Sequence, residues 1–276
     1  MSNKKRLILL SVCLIVGLMF TACRKSESNT SSGNSITVSG STSVGPLMEK
    51  EAEKFKEANS GMKVEINQLG SSAGIKDAIN GTVQIGMSSR DIKEQEKAEK
   101  LTEVEIALDG ICVIGNKTNV VKSLTIQQVK DIYTGKITNW KEVGGKDGAI
   151  VVVSREDGSG TRDAFQEIVG YTSEELTKEA QISDGSGNIK STVKGNENSI
   201  GFISFEYIDD EINAMQIDKV APTSENVKNN SYKLSRPFIL VYKKDKISEE
   251  GTKLIDFILS EDGQKIVEDN GLIRIK

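Results

Sequence analysis

From Ile36 onward, short apolar runs alternate with longer segments whose apolar residues recur at helical spacing. "ITVSG" predicts a strand that ends in a Gly/Ser loop. "VGPLMEKEAEKFKEANSG" puts Leu47, Met48, Ala52 and Phe55 on one helical face, with Pro46 near its start and "NSG" at its end. "KVEINQLG" predicts a strand, "SSAGIKDAIN" a loop and helix, and "VQIGMSSR" a strand and loop. "IQQVKDIYTG", "AIVVVS", "TRDAFQEIVG" and "SIGFISFEYI" continue the alternation. Repeated βα units predict an α/β protein with mainly parallel sheets covered by helices. Two stretches depart from the pattern: "EIALDGICVIGNK" and "YKLSRPFILVYKK" are each long for one strand and interrupted by a turn-favouring or charged residue. They predict two strands that cross between lobes. The first lobe would comprise residues 36–112 plus 238–276, and the second 113–237.

The segment before Ile36 has a different pattern. Lys4, Lys5 and Arg6 precede an apolar run from Leu7 to Phe20, then Thr21, Ala22 and Cys23. The run has the length of a signal-peptide core and is short for a membrane span. A cysteine after small residues resembles a bacterial lipobox, although Phe20 stands where such motifs usually carry Leu. This predicts a signal peptide over 1–22 and a lipidated Cys23, with palmitate-type acyl chains holding the protein to the extracytoplasmic face of the cell membrane. Residues 23–35, including "RKSESNTSSGNS", contain nothing that could build a core and predict a flexible tether. With Cys13 in the signal and Cys23 at the lipid site, Cys112 in "GICVIG" is left as a buried free thiol.

Composition narrows the function. Removing residues 1–22 takes Lys4, Lys5 and Arg6 away and lowers the formal net charge from -4 to -7. An acidic chain is poorly suited to nucleic acid, whose binding depends on Lys and Arg neutralising phosphates. The chain contains no His. That removes His-dependent triads and most zinc sites. No metal, cofactor or catalytic residue is expected.

The candidate chemistry lies in loops. "SGSTSVGP", "QLGSSAG", "GMSSRD" and "SREDGSGTRD" each follow a predicted strand and precede a predicted helix. In parallel α/β sheets such loops gather at the carboxyl edge of the strands, where ligands bind. Helix N-termini offer free N–H groups and partial positive charge to an oxyanion, hydroxyls add donors, and glycine permits close backbone approach. In the last loop Arg155 supplies a fork of donors and a charge. Asp157 is placed to hold that guanidinium, while Ser159, Gly160 and Thr161 offer hydroxyls and N–H groups at a helix start. Ser and Thr are also common N-caps, so capping explains any one of these loops taken alone. "DGSGN" at 184–188 reads as plain capping. The long loop lacks the Gly-Lys-Ser/Thr ending of a nucleotide-binding P-loop.

Taken in order, "GSTSVGP", "GSSAGIK", "GMSSR", "IYTGKITNW", "SREDGSGTRDAF", "IGFISFEY" and "APTSENV…YKLSRPF" carry a family pattern from Ile36 to Lys276. The chain resembles the phosphate-binding lipoproteins of phosphate-specific ABC transporters. The resemblance implies a two-lobed type II periplasmic-binding-protein fold that closes on inorganic phosphate and delivers it to a membrane permease with its ATPase. It also implies ligand contacts from Thr42, the backbone N–H of Ser43, Ser71, Arg155, Ser159, Gly160 and Thr161, with Asp157 orienting Arg155. Many relatives carry Asp where this chain has Ser89. A carboxylate there accepts the proton that phosphate carries and sulfate lacks. Ser89 both donates and accepts, and Arg90, Asp91 or Asp157 could assist it. Other tetrahedral oxyanions (sulfate, molybdate, tungstate) therefore stay open as ligands. A secreted phosphatase is the reading from a different class, opposed by the missing His and by the lack of a serine beside a candidate base.

Overall fold

The computed structural model describes residues 35–275. The predicted signal peptide, Cys23 and all of the tether except Ser35 lie outside the described residues. Ser35 instead opens the first strand.

The chain runs β1 (Ser35–Gly40), α1 (Gly45–Ala58), β2 (Lys63–Gln68), α2 (Ser71–Asn80), β3 (Ile85–Ser88), α3 (Glu94–Lys97) and β4 (Thr102–Asn116). It continues β5 (Ser123–Leu124), α4 (Ile126–Tyr133), β6 (Val151–Arg155), α5 (Gly160–Val169), β7 (Gln181–Ser183), α6 (Gly185–Gly195) and β8 (Ser199–Ser204). Then come β9 (Ile212–Ala214), β10 (Gln216–Ile217), α7 (Ser224–Lys228), β11 (Ser235–Tyr242), α8 (Glu249–Ile258) and α9 (Glu261–Asp269). The main sheet has the order β2-β1-β3-β11-β4-β8-β6-β7, with β9 also on β4. β1 pairs in parallel with β2 and β3, and β6 with β7 and β8. The antiparallel pairs lie in the middle, where β4 and β11 pair with each other and with β8 and β3. The two long stretches singled out in the sequence are these two central strands.

The pattern of β4 explains its role. Its first residues alternate between wet and covered positions, and from Ile106 onward it is almost wholly buried. A strand covered on both faces belongs to the interior of a layered α/β structure. Two large apolar cores form on either side of it. One contains Ile36, Val38, Leu47, Phe55, Ile106, Phe238 and Leu254. The other contains Ile111, Val113, Tyr133, Phe165, Phe202 and Tyr232. The centre of the second is aromatic: the Phe165 and Phe202 rings stack at 4.1 Å, and Tyr133 meets Phe165 edge-on at 5.0 Å. Cys112 is buried and free, and burial pushes its thiol far above the ordinary range.

One core position contradicts the apolar stripe. Glu51 lies on the buried face of α1, and neither carboxylate oxygen has a hydrogen-bond partner among the described residues. Burial pushes its pKa up from 4.5 to about 9, so the folded protein holds it neutral. The unfolded chain ionises it above pH 4.5. Between these values the folded state binds the extra proton, so stability falls as pH rises from about 4.5 to 9. At roughly 1.4 kcal/mol per pKa unit, this one group removes up to a few kcal/mol between pH 5 and pH 8. Glu51→Gln should flatten that part of the slope, as read by urea denaturation across this range. An unchanged pH dependence in the variant would show that Glu51 does not carry it.

Candidate oxyanion site

Four helices begin in one place, between the two cores. The connection from β1 to α1 supplies Ser41, Thr42 and Ser43, and α2 begins at Ser71. α5 begins at Gly160 and α6 at Gly185. The side chains of their first turns meet. Ser43 Oγ lies 2.8 Å from Thr161 Oγ1 and 3.2 Å from Ser186 Oγ. Ser71 Oγ lies 3.3 Å from Ser89 Oγ and accepts the Ser89 N–H at 3.1 Å. The Ser72 N–H donates to the Gly158 carbonyl at 3.1 Å. A β-carbon on Gly160 would stand 2.2 Å from Ser71 Oγ, so only glycine lets α5 come this close to α2. Ser43, Ser71, Ser89, Arg155, Ser159, Thr161 and Ser186 are each at most 2 % exposed.

Arg155 is the charged member of this cluster. It ends the buried strand β6, and its Nε and Nη2 each donate to a Glu156 carboxylate oxygen at 2.7 Å. Nη2 also donates to Thr42 Oγ1 at 2.8 Å, which joins the α1 loop to the β6 loop. Nη1 is buried with no partner among the described residues. Burial raises the Glu156 carboxyl, but the bonds and charge of Arg155 outweigh it, and the net shift is downward. The arrangement combines an ionised, bidentate-held guanidinium, one open donor face, several hydroxyls and convergent helix N-termini. It can bind a small oxyanion by charge-assisted and neutral hydrogen bonds.

The structure brings together Thr42, Ser43, Ser71, Ser89, Arg155, Gly160 and Thr161, and its contacts bear on several of the expected roles. Asp157 does not hold Arg155. It pairs with Arg162 at 2.6 Å, and its side chain is 95 % exposed. The acid one residue earlier, Glu156, does that work, because the turn aims it back along the guanidinium while Arg162 on the first turn of α5 draws Asp157 outward. The Ser43 N–H, the donor that was expected, has Ser41 Oγ at 3.2 Å, and the Ser43 hydroxyl is shared with Thr161 and Ser186. Ser159 is the N-cap of α5, accepting the Arg162 N–H at 3.3 Å, which leaves its own proton to donate. Neither acid proposed to assist Ser89 reaches it: Asp91 is exposed, and Asp157 faces solvent. Arg90 bonds Glu96 through two nitrogens at 2.8 Å and Asp163 at 3.0 Å, so its charge is already matched. The Ser89 loop leads to only a four-residue helix and contributes hydroxyl and backbone groups rather than a helix dipole.

Sequence reasoning missed three participants. Glu156 was quoted within the loop but passed over for its neighbour. Ser186 sits in "DGSGN", read as plain capping, yet it is wholly buried and touches Ser43. Its signal was a fifth Gly/Ser helix start after a strand, the same pattern that marked the other loops. Arg236 lies beneath Ser89, donating to its carbonyl at 3.2 Å. It comes from the "SRPF" stretch, which entered the sequence reading as a crossing strand and a family motif but with no site role for Arg236.

A two-core α/β chain with crossing strands and an anion cradle between the cores is the architecture of a two-lobed solute-binding protein. The family model of the PBP superfamily domain matches residues 25–262. Among curated relatives, the phosphate-binding protein PstS of Bacillus subtilis is 33% identical over 288 residues, covering 99% of this chain and 95% of that protein. A crystal structure from Clostridium perfringens, described as a phosphate ABC transporter substrate-binding protein with bound phosphate, is 64% identical with a TM-score of 0.87. It covers 88% of this chain and 100% of its own. An ABC-type phosphate transport receptor from Vibrio cholerae is 36% identical with a TM-score of 0.74, over 87% of this chain and 100% of that one. The chain belongs to this family of phosphate-binding proteins within the PBP superfamily, and its fold is the type II fold of that group.

The corrected pairing has a direct test. Arg155→Ala removes the charged donor and strands Glu156, and should weaken phosphate binding by about 2–5 kcal/mol. Asp157→Ala removes only an exposed ion pair and should change binding by less than about 1 kcal/mol. Calorimetric titration with phosphate reads both. Equal losses in the two variants would restore Asp157 to the site.

Proposed function

We propose that this protein is an extracytoplasmic receptor that closes its two lobes on inorganic phosphate and presents it to the permease of an ABC transporter, without chemical turnover. The observation that carries this reading is Arg155: a buried guanidinium whose Nη2 already bonds Thr42 on the opposite loop, with Nη1 left as a buried donor. The phosphate-bound relative at 64% identity supports the same ligand. The proposed lobes are residues 36–112 plus 238–276 and residues 113–237, joined through β4 and β11. The proposed contacts are Thr42, the Ser43 hydroxyl, Ser71, Ser89, Arg155, Ser159, Gly160 and Thr161. A ligand bonded to loops of both lobes stabilises the closed arrangement over the open one. The proposed anchor is a lipid on Cys23 after removal of residues 1–22, which would keep the receptor beside its permease and ATPase partners.

One specific observation keeps a second reading in view. Three of the acids around the cluster are engaged elsewhere. Glu156 spends both oxygens on Arg155, Asp157 turns to Arg162, and Asp109 is held by Arg236, Ser204 and the Phe205 N–H. None of these three is placed to accept the proton of a phosphate oxygen beside Ser89, so the Ser89 hydroxyl is the proposed acceptor. A hydroxyl can turn its hydrogen toward an unprotonated oxyanion, whereas a carboxylate repels it. Sulfate discrimination is therefore expected to be weaker than in a site with a carboxylate.

Competition titration at pH 7 with phosphate and excess sulfate tests both readings. Phosphate should bind more tightly, and Ser89→Asp should widen the margin. Tighter binding of sulfate, molybdate or tungstate to the wild type would overturn the phosphate assignment. Mass spectrometry of the native protein tests the anchor: an acylated Cys23 at the N-terminus is expected, and a mature chain beginning later without lipid would refute it.

A further inference from the structure

Asp109 and Arg236 form a second buried ion pair, and the anion site does not use it directly. They stand opposite each other on β4 and β11, in register across the two strands that run between the cores. Asp109 is 0 % exposed and the Arg236 side chain 1 %. Arg236 Nε and Nη2 donate to Asp109 Oδ2 at 3.1 and 2.9 Å. The other carboxylate oxygen accepts the Ser204 hydroxyl at 2.9 Å and the Phe205 N–H at 3.1 Å, at the end of β8. The remaining arm of the guanidinium, Nη1, donates to the carbonyl of Ser89 at 3.2 Å.

Every polar group in this chain is accounted for, and the chain has a direction. It begins at the Ser89 backbone, passes through both crossing strands and ends on the backbone of Phe205. Phe205 is itself immobilised. Its ring lies where a β-carbon on Gly110 would be, 2.1 Å from its nearest atom, and it packs at 5.7 Å from the Tyr232 ring. Tyr232 in turn donates its hydroxyl to the Ile111 carbonyl at 2.9 Å. The next residue but one, Tyr207, donates to the Thr42 carbonyl at 3.3 Å. One end of the chain thus sets the Ser89 loop, and the other leads to the Thr42 loop.

An arginine is suited to this work because its planar fork fixes two acceptors at once in a set geometry. Burial lowers the Arg236 pKa, Asp109 opposes that, and Arg155 adds a like charge close enough to be felt. A lone buried cation near Arg155 would be costly, and Asp109 removes that cost. We propose that Arg236 and Asp109 are positioning residues for the oxyanion site, fixing the Ser89 peptide so that its hydroxyl and N–H hold their place while tying that loop to the Ser204–Phe205 end of the opposite lobe. This rests on the oxyanion-receptor reading, and names residues that act through Ser89 rather than on the ligand.

The test is Arg236→Lys in the full chain, titrated with inorganic phosphate and separately with sulfate, beside thermal unfolding. Lysine keeps the charge but cannot reach Asp109 and the Ser89 carbonyl together in the same fork. The expected result is a folded protein whose phosphate affinity falls about tenfold to a hundredfold, the range seen when partners that orient metal ligands are removed. Its phosphate-to-sulfate affinity ratio should also move. Wild-type affinity and ratio, with only a lower unfolding temperature, would reduce the pair to a stability element and overturn the proposal. If Arg236→Lys does not fold, Ser204→Ala decides, since it deletes one donor to Asp109 and leaves the guanidinium in place. A several-fold weaker phosphate affinity at near wild-type unfolding temperature supports the proposal, and unchanged affinity overturns it. If the wild type binds sulfate and not phosphate, the ligand assignment fails. The Arg236→Lys comparison then tests the positioning role with sulfate alone.

Discussion

A buried guanidinium has to be matched. Arg155 is 1 % exposed, and a cation removed from water is tolerable only when acceptors surround it. Glu156 supplies two, from the same turn. The third, Thr42, comes from a different loop on the other side of the site. The bond from Nη2 to Thr42 therefore depends on the two sides being close. That requirement accounts for the glycine at 160, for the contact between Ser43 and Thr161, and for the bond from Ser72 to the Gly158 carbonyl. It also accounts for an acidic protein that binds an anion. The overall charge acts at long range and is screened by salt, whereas the donors of a dry site act at contact distance.

The other ion pairs sort by burial. Arg162 with Asp157, Lys194 with Glu211 and Lys265 with Asp269 have at least one partner side chain open to water. Such pairs contribute little, because solvent screens them and holding long side chains in place costs entropy. Arg155 with Glu156 and Arg236 with Asp109 are different, because losing one partner leaves a buried charge without an answer. These two pairs touch loops of the candidate site, the first through Thr42 and the second through the Ser89 carbonyl. The strongest constraints in the molecule are thus concentrated where the two sides meet, on top of the long strands that join them.

Further polar contacts join the two sides. Asp163 on α5 receives Arg90 at 3.0 Å and Lys93 at 2.7 Å, and Glu206 receives Lys50 at 3.4 Å. Burial raises the Glu206 carboxyl to about 7, with Lys50 opposing the shift. These contacts depend on the same closeness that Arg155 requires, and each has a partly exposed partner, Asp163 and Lys93 in one cluster and Lys50 in the other.

The sequence alone determined the alternation of strands and helices, because periods of 2 and about 3.6 follow from local backbone geometry. It also marked four of the loops that meet at the candidate site, because Gly, Ser and Thr clusters after strands mark the carboxyl edge of a sheet, while the fifth, with Ser186, looked like plain capping. The crossing role of β4 and β11 was legible for a similar reason: the stretches that hold them are long and interrupted for one strand, although β11 itself has eight residues against 15 in β4. Which acid serves Arg155 was not legible. Glu156 and Asp157 are adjacent acids, and the choice turns on Arg162, whose position over Asp157 exists only once α5 is docked. Nor could periodicity place Ser186 against Ser43, 143 residues away, or bring Arg236 beneath Ser89. Those contacts join segments distant in sequence, so they are set by how the cores pack against the central strands. Local pattern assigns a residue to a loop; only tertiary packing decides what that residue faces.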